Sequence, residues 1–301
     1  MTEMRPFYSN VQSHYDLSDD FFALFLDPSR TYSCAYFERD DYTLGQAQQA
    51  KVDLALGKCD LKPGQTLLDI GCGWGATMLR AIEQYDVNVI GLTLSRNQHD
   101  HVAKQFHDRG YDPSRARVHL RGWEEFDEPV DRVVSIGAFE HFRRERYDLF
   151  FAKYHGLLPD DGRMLLHTIV GYNRHQLRDR GLTLARADLE FLLFILKNIF
   201  PGGQIPEPQW IVDGAEAVGF TTQRVHPLNE NYAKTLDLWA AALRERRDDA
   251  IALTDEATYD TYERYLSGCG HYFRTGFIDV MQFTLAKGVT AETRDVTGLA
   301  E

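Results

Sequence analysis

From residue 66 onward the chain alternates short apolar runs with amphipathic stretches. The runs TLLDI (66–70), VNVIGL (87–92), ARVHLR (116–121), DRVVSI (131–136) and RMLLHTIV (163–170) have strand length. Helix-period stretches lie near 75–85, 96–108 and 144–157. Near-continuous apolar runs belong to strands covered on both faces, so the alternation predicts an α/β fold built on a doubly wound, mostly parallel sheet. A helix at 208–218, a strand at 220–228, helices at 234–247 and 255–267, and a strand at 278–286 complete a seven-stranded sheet. Ligands of such sheets sit outside the carboxyl ends of the strands.

The flanking segments follow other rules. Before the Pro-Gly turn of KPGQ (62–65), residues 12–60 read as largely helical, with Phe21, Phe22, Leu24, Phe25 and Leu26 on one apolar face and Thr43 as a helix N-cap. Residues 171–207 interrupt the alternation. There LARADLEFLLFILKNIF (184–200) predicts a helix with a very wide apolar face, ended by PGG, where an insertion would cover the strand ends as a lid. The expected division is a helical cap at 1–60, a core at 61–170, the lid at 171–207, the rest of the core at 208–287, and a disordered tail at 288–301.

Composition narrows the partners. A net charge of −12 argues against nucleic-acid binding and against broad adhesion to an anionic membrane. There is no apolar run of about 18 residues and no basic-then-apolar leader. Cys34, Cys59, Cys72 and Cys269 are scattered without metal-ligand spacing. These features predict a cytoplasmic protein with no metal site and at most transient membrane contact. The basic run RRER (143–146), with Arg174, Arg178 and Arg180, is either a solvated helix start or a docking patch for an acidic partner or lipid head group.

Two strand ends carry candidate chemistry. LLDIGCGWG (67–75) sets Asp69, Gly71, Gly73 and Gly75 at a strand-to-helix turn, where glycines let backbone approach a nucleotide. The G-x-G-x-G spacing differs from the dinucleotide fingerprint, and IGLTLSRNQ (90–98) offers Thr93 and Gln98 but no carboxylate for a ribose. Both points weigh against a nicotinamide cofactor. SIGAFEHF (135–142) places Glu140 beside His141 at the end of an apolar strand. An unpaired charge is costly there, so Glu140 needs a partner.

LDIGCGWG resembles motif I of S-adenosylmethionine-dependent methyltransferases. Taken with YDLSDDFF, TYSCAYF, GLTLSRNQ, SIGAFEHF, FPGG and CGHYFRTGFID, the chain resembles the cyclopropane fatty acid synthases from about residue 8 to Lys287, nearest the cyclopropane mycolic acid synthases. The resemblance implies a Rossmann-like class I methyltransferase. It implies cofactor contacts at Tyr32, Ser33, Asp69, Gly71, Cys72, Gly73, Gly75, Thr93, Leu94, Gln98, Trp123, Glu124 and Ile136. Trp123 suits a purine as an apolar slab, and Glu124 suits its exocyclic amine as an acceptor.

The reaction implied is methylation of an unactivated alkene, with a carbocation that must lose a proton for the ring to close. Water must be excluded and a base must stand beside the cation. In the family that base is a bound bicarbonate. Glu140, His167 and Tyr232 match its side-chain ligands, and main chain near Cys34 and Gly137 matches the rest of its cradle. Relatives that make hydroxylated products carry an acid at the Gly137 position, so Gly137 favours ring closure. Cys269 matches a cysteine of the family's active site and is a candidate proton relay. Tyr15, Phe139, Phe142, Trp239, Tyr272 and Phe273 are candidates for the wall of an acyl tunnel, each with plain packing as the simpler reading.

The substrate implied is a long unsaturated acyl chain, a mycolic acid precursor, on an acidic acyl carrier protein, with the arginines near 143–146 and 174–180 as its dock. A methyltransferase that adds a branch without a ring is the alternative within enzymes. A non-catalytic lipid- or cofactor-binding protein is the alternative outside them, and Glu140, His167 and Tyr232 argue against it. The lid segment 172–198 is the least family-like part of the chain, and 289–301 lies beyond the family pattern.

Overall fold

The computed structural model describes residues 19–288; Tyr15 and the tail from residue 289 lie outside the described residues. The apolar runs form strands β1 (Thr66–Ile70), β2 (Asn88–Thr93), β3 (Ala116–Leu120), β4 (Arg132–Ile136), β5 (Arg163–Gly171), β6 (Phe220–Pro227) and β7 (Ile278–Lys287). They make one seven-stranded sheet in the order β3-β2-β1-β4-β5-β7-β6. β1 to β5 pair in parallel, while β7 runs antiparallel to both β5 and β6. The strand order reverses at β1 and β4, which opens a crevice at their carboxyl ends.

The helices are α1 (Asp19–Ala23), α2 (Leu44–Lys58), α3 (Ala76–Tyr85), α4 (Arg96–Asp108), α5 (Tyr147–Leu157), α6 (Arg174–Asp179), α7 (Arg186–Asn198), α8 (Pro208–Ala217), α9 (Asn229–Glu245), α10 (Arg247–Leu253) and α11 (Glu256–Thr275). α2, α3 and α4 bury Leu67, Val89, Val134 and Leu165 on one face of the sheet. α5 and α8 bury Leu68, Ile90, Val133 and Leu166 on the other. That two-sided cover is why these strands read as continuous apolar runs. A third cluster joins Phe21, Phe22 and Phe25 to α9 and α11 around Trp239, beside Ile169 near the end of β5.

Helix ends depart from expectation where side chains or long-range packing intervene. Among the described residues the cap holds only α1 and α2 as α-helix, and residues 24–43 are turns and coil. The Asp27 carboxylate accepts from the Ser29 and Thr31 N–H groups at 2.9 and 3.2 Å, a local bond that competes with helix. Thr43 does cap α2, in a reciprocal capping box with Gln46. The helix expected from 144 begins at Tyr147, because Arg143 has φ +63° and a 3₁₀ turn follows it. α10 is additional to the expected helices. α11 runs on to Thr275, past the expected end at 267 and through Gly268 and Gly270. A Cβ on Gly268 would lie 2.2 Å from the Phe191 ring, so this glycine admits α7 rather than ending α11.

The insertion forms two helices. α7 rests on α11 by one face only: Phe191 stacks on Tyr272 at 4.9 Å, and the Tyr272 hydroxyl donates to Asp188 at 2.8 Å. Leu189, Leu192, Leu193 and Leu196, one helical stripe, stay exposed.

Candidate active site

The turns after β1, β2 and β4 enclose a cleft of about 1100 Å³, its open mouth included. All the cofactor contacts expected from the sequence line it except Gly75. Gly75 instead sits at the N-cap of α3, where an added Cβ would lie 3.0 Å from Val102. Gly71 has φ +81°, and a Cβ there would meet the Ala138 Cβ at 2.5 Å. The turn after β1 is therefore pressed against the turn after β4, which no larger residue allows.

Two residues that line this cleft hold buried polar atoms without hydrogen-bond partners among the described residues. Asp69 is buried, its Oδ2 makes no hydrogen bond, and burial pushes its pKa up to about 7 against the opposing charge of Lys51. The indole Nε1 of Trp74 is likewise buried and unpartnered. Thr93 donates to Gln98 Oε1 at 2.8 Å and accepts from the Ser95 N–H at 3.1 Å. Trp123 shows only a small surface, its ring packed on Phe142 and Phe150. Glu124 is held by Arg146 at 2.6 Å, so any purine amine would share this carboxylate with an arginine. Burial still raises Glu124 above the ordinary carboxylate value. Acceptors, an indole N–H and an apolar slab in one cleft fit a nucleoside that carries an amino-acid arm. S-adenosylmethionine is such a molecule, and Asp69, Trp74, Thr93, Gln98 and Trp123 would hold it.

Lys51, Trp74 and His141 line the cleft and were missed in the sequence. Lys51 is 1% exposed and donates to Ser33 Oγ at 2.8 Å. Burial pushes it down to about 8, against the pull of Cys34, Asp27 and Asp69. The signal was available: Gln48 and Lys51 share the stripe of α2 that buries Ala47, Val52, Ala55 and Leu56. A lysine in an apolar stripe needs a partner. Trp74 stands in a glycine turn that otherwise selects small residues. Burial pushes His141 down to about 4.

Of the expected catalytic group, only Gly137 lines the cleft; Cys34, Glu140, His167, Tyr232 and Cys269 do not. Gly137 has φ +70°, its N–H donates to the His167 carbonyl at 2.9 Å, and a Cβ there would touch only Ser33, at 3.7 Å. The short 3₁₀ turn Phe139–His141 then carries Glu140 back toward β5. Its Oε1 accepts from the Ile169 N–H at 2.7 Å, while Oε2 is buried and accepts no hydrogen bond from the described residues, the Thr168 hydroxyl beside the carboxylate donating to the Ile169 carbonyl instead. Burial raises the Glu140 pKa, and the Ile169 N–H and the Thr168 hydroxyl oppose it.

His167 lies within 3.1 Å of Gln282 through Nδ1, and its Nε2 is buried and unpartnered. Burial holds the ring well below the ordinary histidine value, and Lys51, Lys58 and His226 add to this. The Tyr232 phenol is pushed up by burial, and Tyr32, Cys34, Glu140 and Cys269 add to this. Cys269 is pushed up to about 12 by burial. It stays a thiol, which counts against the thiolate relay suggested by the sequence. Cys34 is raised for the same reason, and its Sγ donates to the Ala35 carbonyl at 3.1 Å.

The aromatic candidates divide. Trp239 and Phe273 flank Tyr232 at 6.2 and 4.5 Å, and Tyr272 meets the underside of α7. Phe139 is fully buried among Tyr147, Phe142, Phe150 and Phe151, where packing accounts for it. Phe142 packs in the same cluster while lining the cleft. The basic run is only partly available to a partner. Arg146 is taken by Glu124, and Arg144 lies over the Trp210 ring at 3.8 Å.

A family model described as "Mycolic acid cyclopropane synthetase" matches residues 2–283. The chain belongs to this family. It is 59% identical to cyclopropane mycolic acid synthase 1 of Mycobacterium tuberculosis over 285 residues, which cover 95% of this chain and 99% of that protein. The structure of the cyclopropane synthase MmaA2 from Mycobacterium tuberculosis superposes with a TM-score of 0.93 at 58% identity, covering 95% of this chain and 100% of that one. The cyclopropane synthase CmaA1, crystallised with SAH and CTAB, gives 0.91 at 59% identity over the same shares. The protein is thus a methyltransferase of the cyclopropane synthase type, with the Rossmann-like methyltransferase fold. No described helix is long and apolar enough to cross a membrane.

Membership makes Gly71 a sharp test of the cleft in this cyclopropane synthase. Gly71→Ala adds left-handed strain of about 1–2 kcal/mol to a contact that cannot form without a shift. If the turn yields rather than the fold, S-adenosylhomocysteine binding weakens by about tenfold or more. Calorimetric titration beside a thermal melt reads both quantities.

Proposed function

We propose that the enzyme cyclopropanates a double bond of a long acyl chain, a mycolic acid precursor, with S-adenosylmethionine as methyl donor. Its base is bicarbonate, held by Glu140, His167 and Tyr232 and by main chain near Cys34 and Gly137. One observation carries this reading. Glu140 Oε2 and His167 Nε2 are buried without hydrogen-bond partners among the described residues, on segments tied together by the Gly137–His167 and Ile169–Glu140 hydrogen bonds. Unsatisfied buried polar atoms call for a ligand. Bicarbonate offers a hydroxyl to a carboxylate acceptor and an oxyanion to a ring N–H.

In the reaction, the π electrons of the alkene form a bond to the methyl carbon as the carbon–sulfur bond breaks. Neutral S-adenosylhomocysteine leaves, and a cation remains on the chain. The new methyl group then gives up a proton, and that C–H pair closes the ring. Bound bicarbonate would supply the base for the proton. Trp239 and Phe273 pack against the Tyr232 ring; such an aromatic wall would exclude water, and the Tyr232 ring would stabilise a cation beside it. α7 would serve as the lid over the apolar chain. Arg174 and Arg178, exposed on α6, would meet an acidic acyl carrier protein, in keeping with a cytoplasmic enzyme.

The test is transfer of labelled methyl from S-adenosylmethionine to a defined unsaturated acyl substrate, with the product read by NMR. High-field cyclopropane protons support the reading, and an olefinic methyl branch of the same added mass overturns it. Turnover should fall on removal of dissolved CO₂ and return with added bicarbonate. Gly137→Glu sets a carboxylate at the cleft beside Ser33, where an added Cβ meets nothing closer than 3.7 Å but the φ of +70° is strained for any side chain. Ring product should drop by about tenfold or more, with hydroxylated or branched product in its place. Gly137→Ala, which shares only the backbone strain, separates that cost from the charge. A Gly137→Glu enzyme that still made cyclopropane alone would remove Gly137 from the mechanism.

A further inference from the structure

Three strands place three polar side chains in a row. β5 and β7 pair His167 with Gln282, and β7 and β6 pair Gln282 with His226. Directly paired residues share one face of a sheet. α2 lies over this face, and its last residue, Lys58, reaches down to the row. Lys58 Nζ donates to Gln282 Oε1 at 2.6 Å and stands 3.0 Å from His226 Nδ1. Gln282 is fully buried and His167 nearly so, so each polar atom here must answer to its neighbour.

We propose that Lys58 and Gln282 are positioning residues that lock His167 as the Nε2–H tautomer, so that its ring serves the anion site as a hydrogen-bond donor and not as the base. Donor chemistry alone leads there. Burial pushes Lys58 down to about 7, so below that pH it is an ammonium, which only donates, and the Gln282 atom facing it is the carbonyl oxygen. The amide nitrogen therefore faces His167 Nδ1, at 3.1 Å. An amide NH₂ only donates, so Nδ1 accepts and the ring proton is on Nε2. That nitrogen is the buried atom without a partner. A protonated ring would set donor against donor at Gln282. The neutral ring matches the low proton affinity that burial and the nearby lysines impose.

This assignment rests on the bicarbonate reading and sharpens it. With Nε2–H donating to an anion oxygen, His167 cannot also take the proton lost by the new methyl group. The base must be the ion itself. Neither Lys58 nor Gln282 lines the cofactor cleft, so their influence passes through His167.

Nitrogen-15 NMR of histidine-labelled protein tests this, with the His167 signals assigned by their loss in His167→Asn. In the wild type the proton should couple to Nε2, and Nδ1 should resonate as an unprotonated nitrogen. Gln282→Glu offers Nδ1 an acceptor, so a proton should move onto Nδ1. Its kcat should fall by about tenfold or more, with the KM for S-adenosylmethionine unchanged. Lys58→Met frees the amide to turn over, so both tautomers should appear and kcat should fall several-fold. Lys58→Arg, which still donates, should restore a single tautomer and most of the rate. Thermal melts and S-adenosylhomocysteine affinity check that each variant is folded, and Lys58→Met carries the test if Gln282→Glu is not. A wild-type ring protonated on Nδ1, or an unmoved tautomer in a folded Gln282→Glu, overturns the proposal. If the tautomer is as stated but turnover ignores CO₂ removal, the anion reading fails and the positioning assignment stands.

Discussion

Glu140→Gln should lower turnover by about 10²–10⁴-fold, the usual worth of a placed base, here the ion that Glu140 would orient, while S-adenosylhomocysteine affinity stays near wild type. The two effects separate because Glu140 does not line the cofactor cleft. The amide fits the same space. Its oxygen must take the Ile169 N–H bond now accepted by Oε1, which puts an NH₂ where the unpartnered Oε2 stands. On the bicarbonate reading, an acceptor for the ion's hydroxyl becomes a donor, and the ion would lose its orientation. Single-turnover methyl transfer measures the loss. A variant with the wild-type rate would remove Glu140 from the site.

Stability should move the other way. Burial raises the Glu140 pKa above its ordinary 4.5, so the folded state holds its proton more tightly than the unfolded state. Such a group favours folding fully below the ordinary value and progressively less as pH rises through the raised one. The amide introduced by Glu140→Gln does not titrate and carries no such dependence. The melting temperature of Glu140→Gln minus that of wild type should therefore grow as pH rises above 4.5, measured without ligand.

Trp239→Ala should cost about 3–5 kcal/mol of stability. Trp239 is fully buried at the meeting point of three segments, against Phe25, Tyr32 and Tyr232 with ring centres 5.3–6.2 Å away. No nearby side chain is free to refill that volume, because Phe21, Phe22 and Phe25 are already packed on one another. The void would border Tyr32 and Tyr232, so turnover should fall with stability. Trp239→Phe keeps a ring in place and should lose far less of both. Urea unfolding with an unchanged m-value reads the stability difference. A Trp239→Ala protein as stable as wild type would show that the cap does not depend on this contact.

The sheet was legible because strand formation at its centre is governed by local pattern. Val133 and Val134, or Leu165 and Leu166, are adjacent in sequence and buried on opposite faces, and only a covered sheet asks for that. Strand bounds agree with the expected runs to within a residue at each end. Helix ends were less legible. Gly268 looks like a stop to any local rule, and only the Phe191 ring from the insertion explains why α11 continues through it.

The site divides in the same way. The glycine turn, Thr93 and Gln98 could be read from strand ends, and Trp123 from the family resemblance; all line the cleft. Glu140 was readable as an anomaly, a carboxylate where the pattern demanded apolar residues. Its partner, the Ile169 N–H, lies 29 residues away and could not be read from the pattern. The Glu124–Arg146 ion pair, which withdraws an arginine from the surface, likewise joins separate elements.

The order of residues along the chain was enough to specify the layered fold and the glycine turn, because each is written in spacing along one or two adjoining elements, and the family resemblance added most of the other groups that meet the cleft. Which polar atoms are paired and which are left open was settled by the folded chain alone. Folding set Lys51 under Ser33, Gln282 between Lys58 and His167, and Glu140 Oε2 and His167 Nε2 without partners. Hydrogen bonding acts over about 3 Å in space, and the residues it joins here come from segments whose separation along the chain carries no trace of their contact.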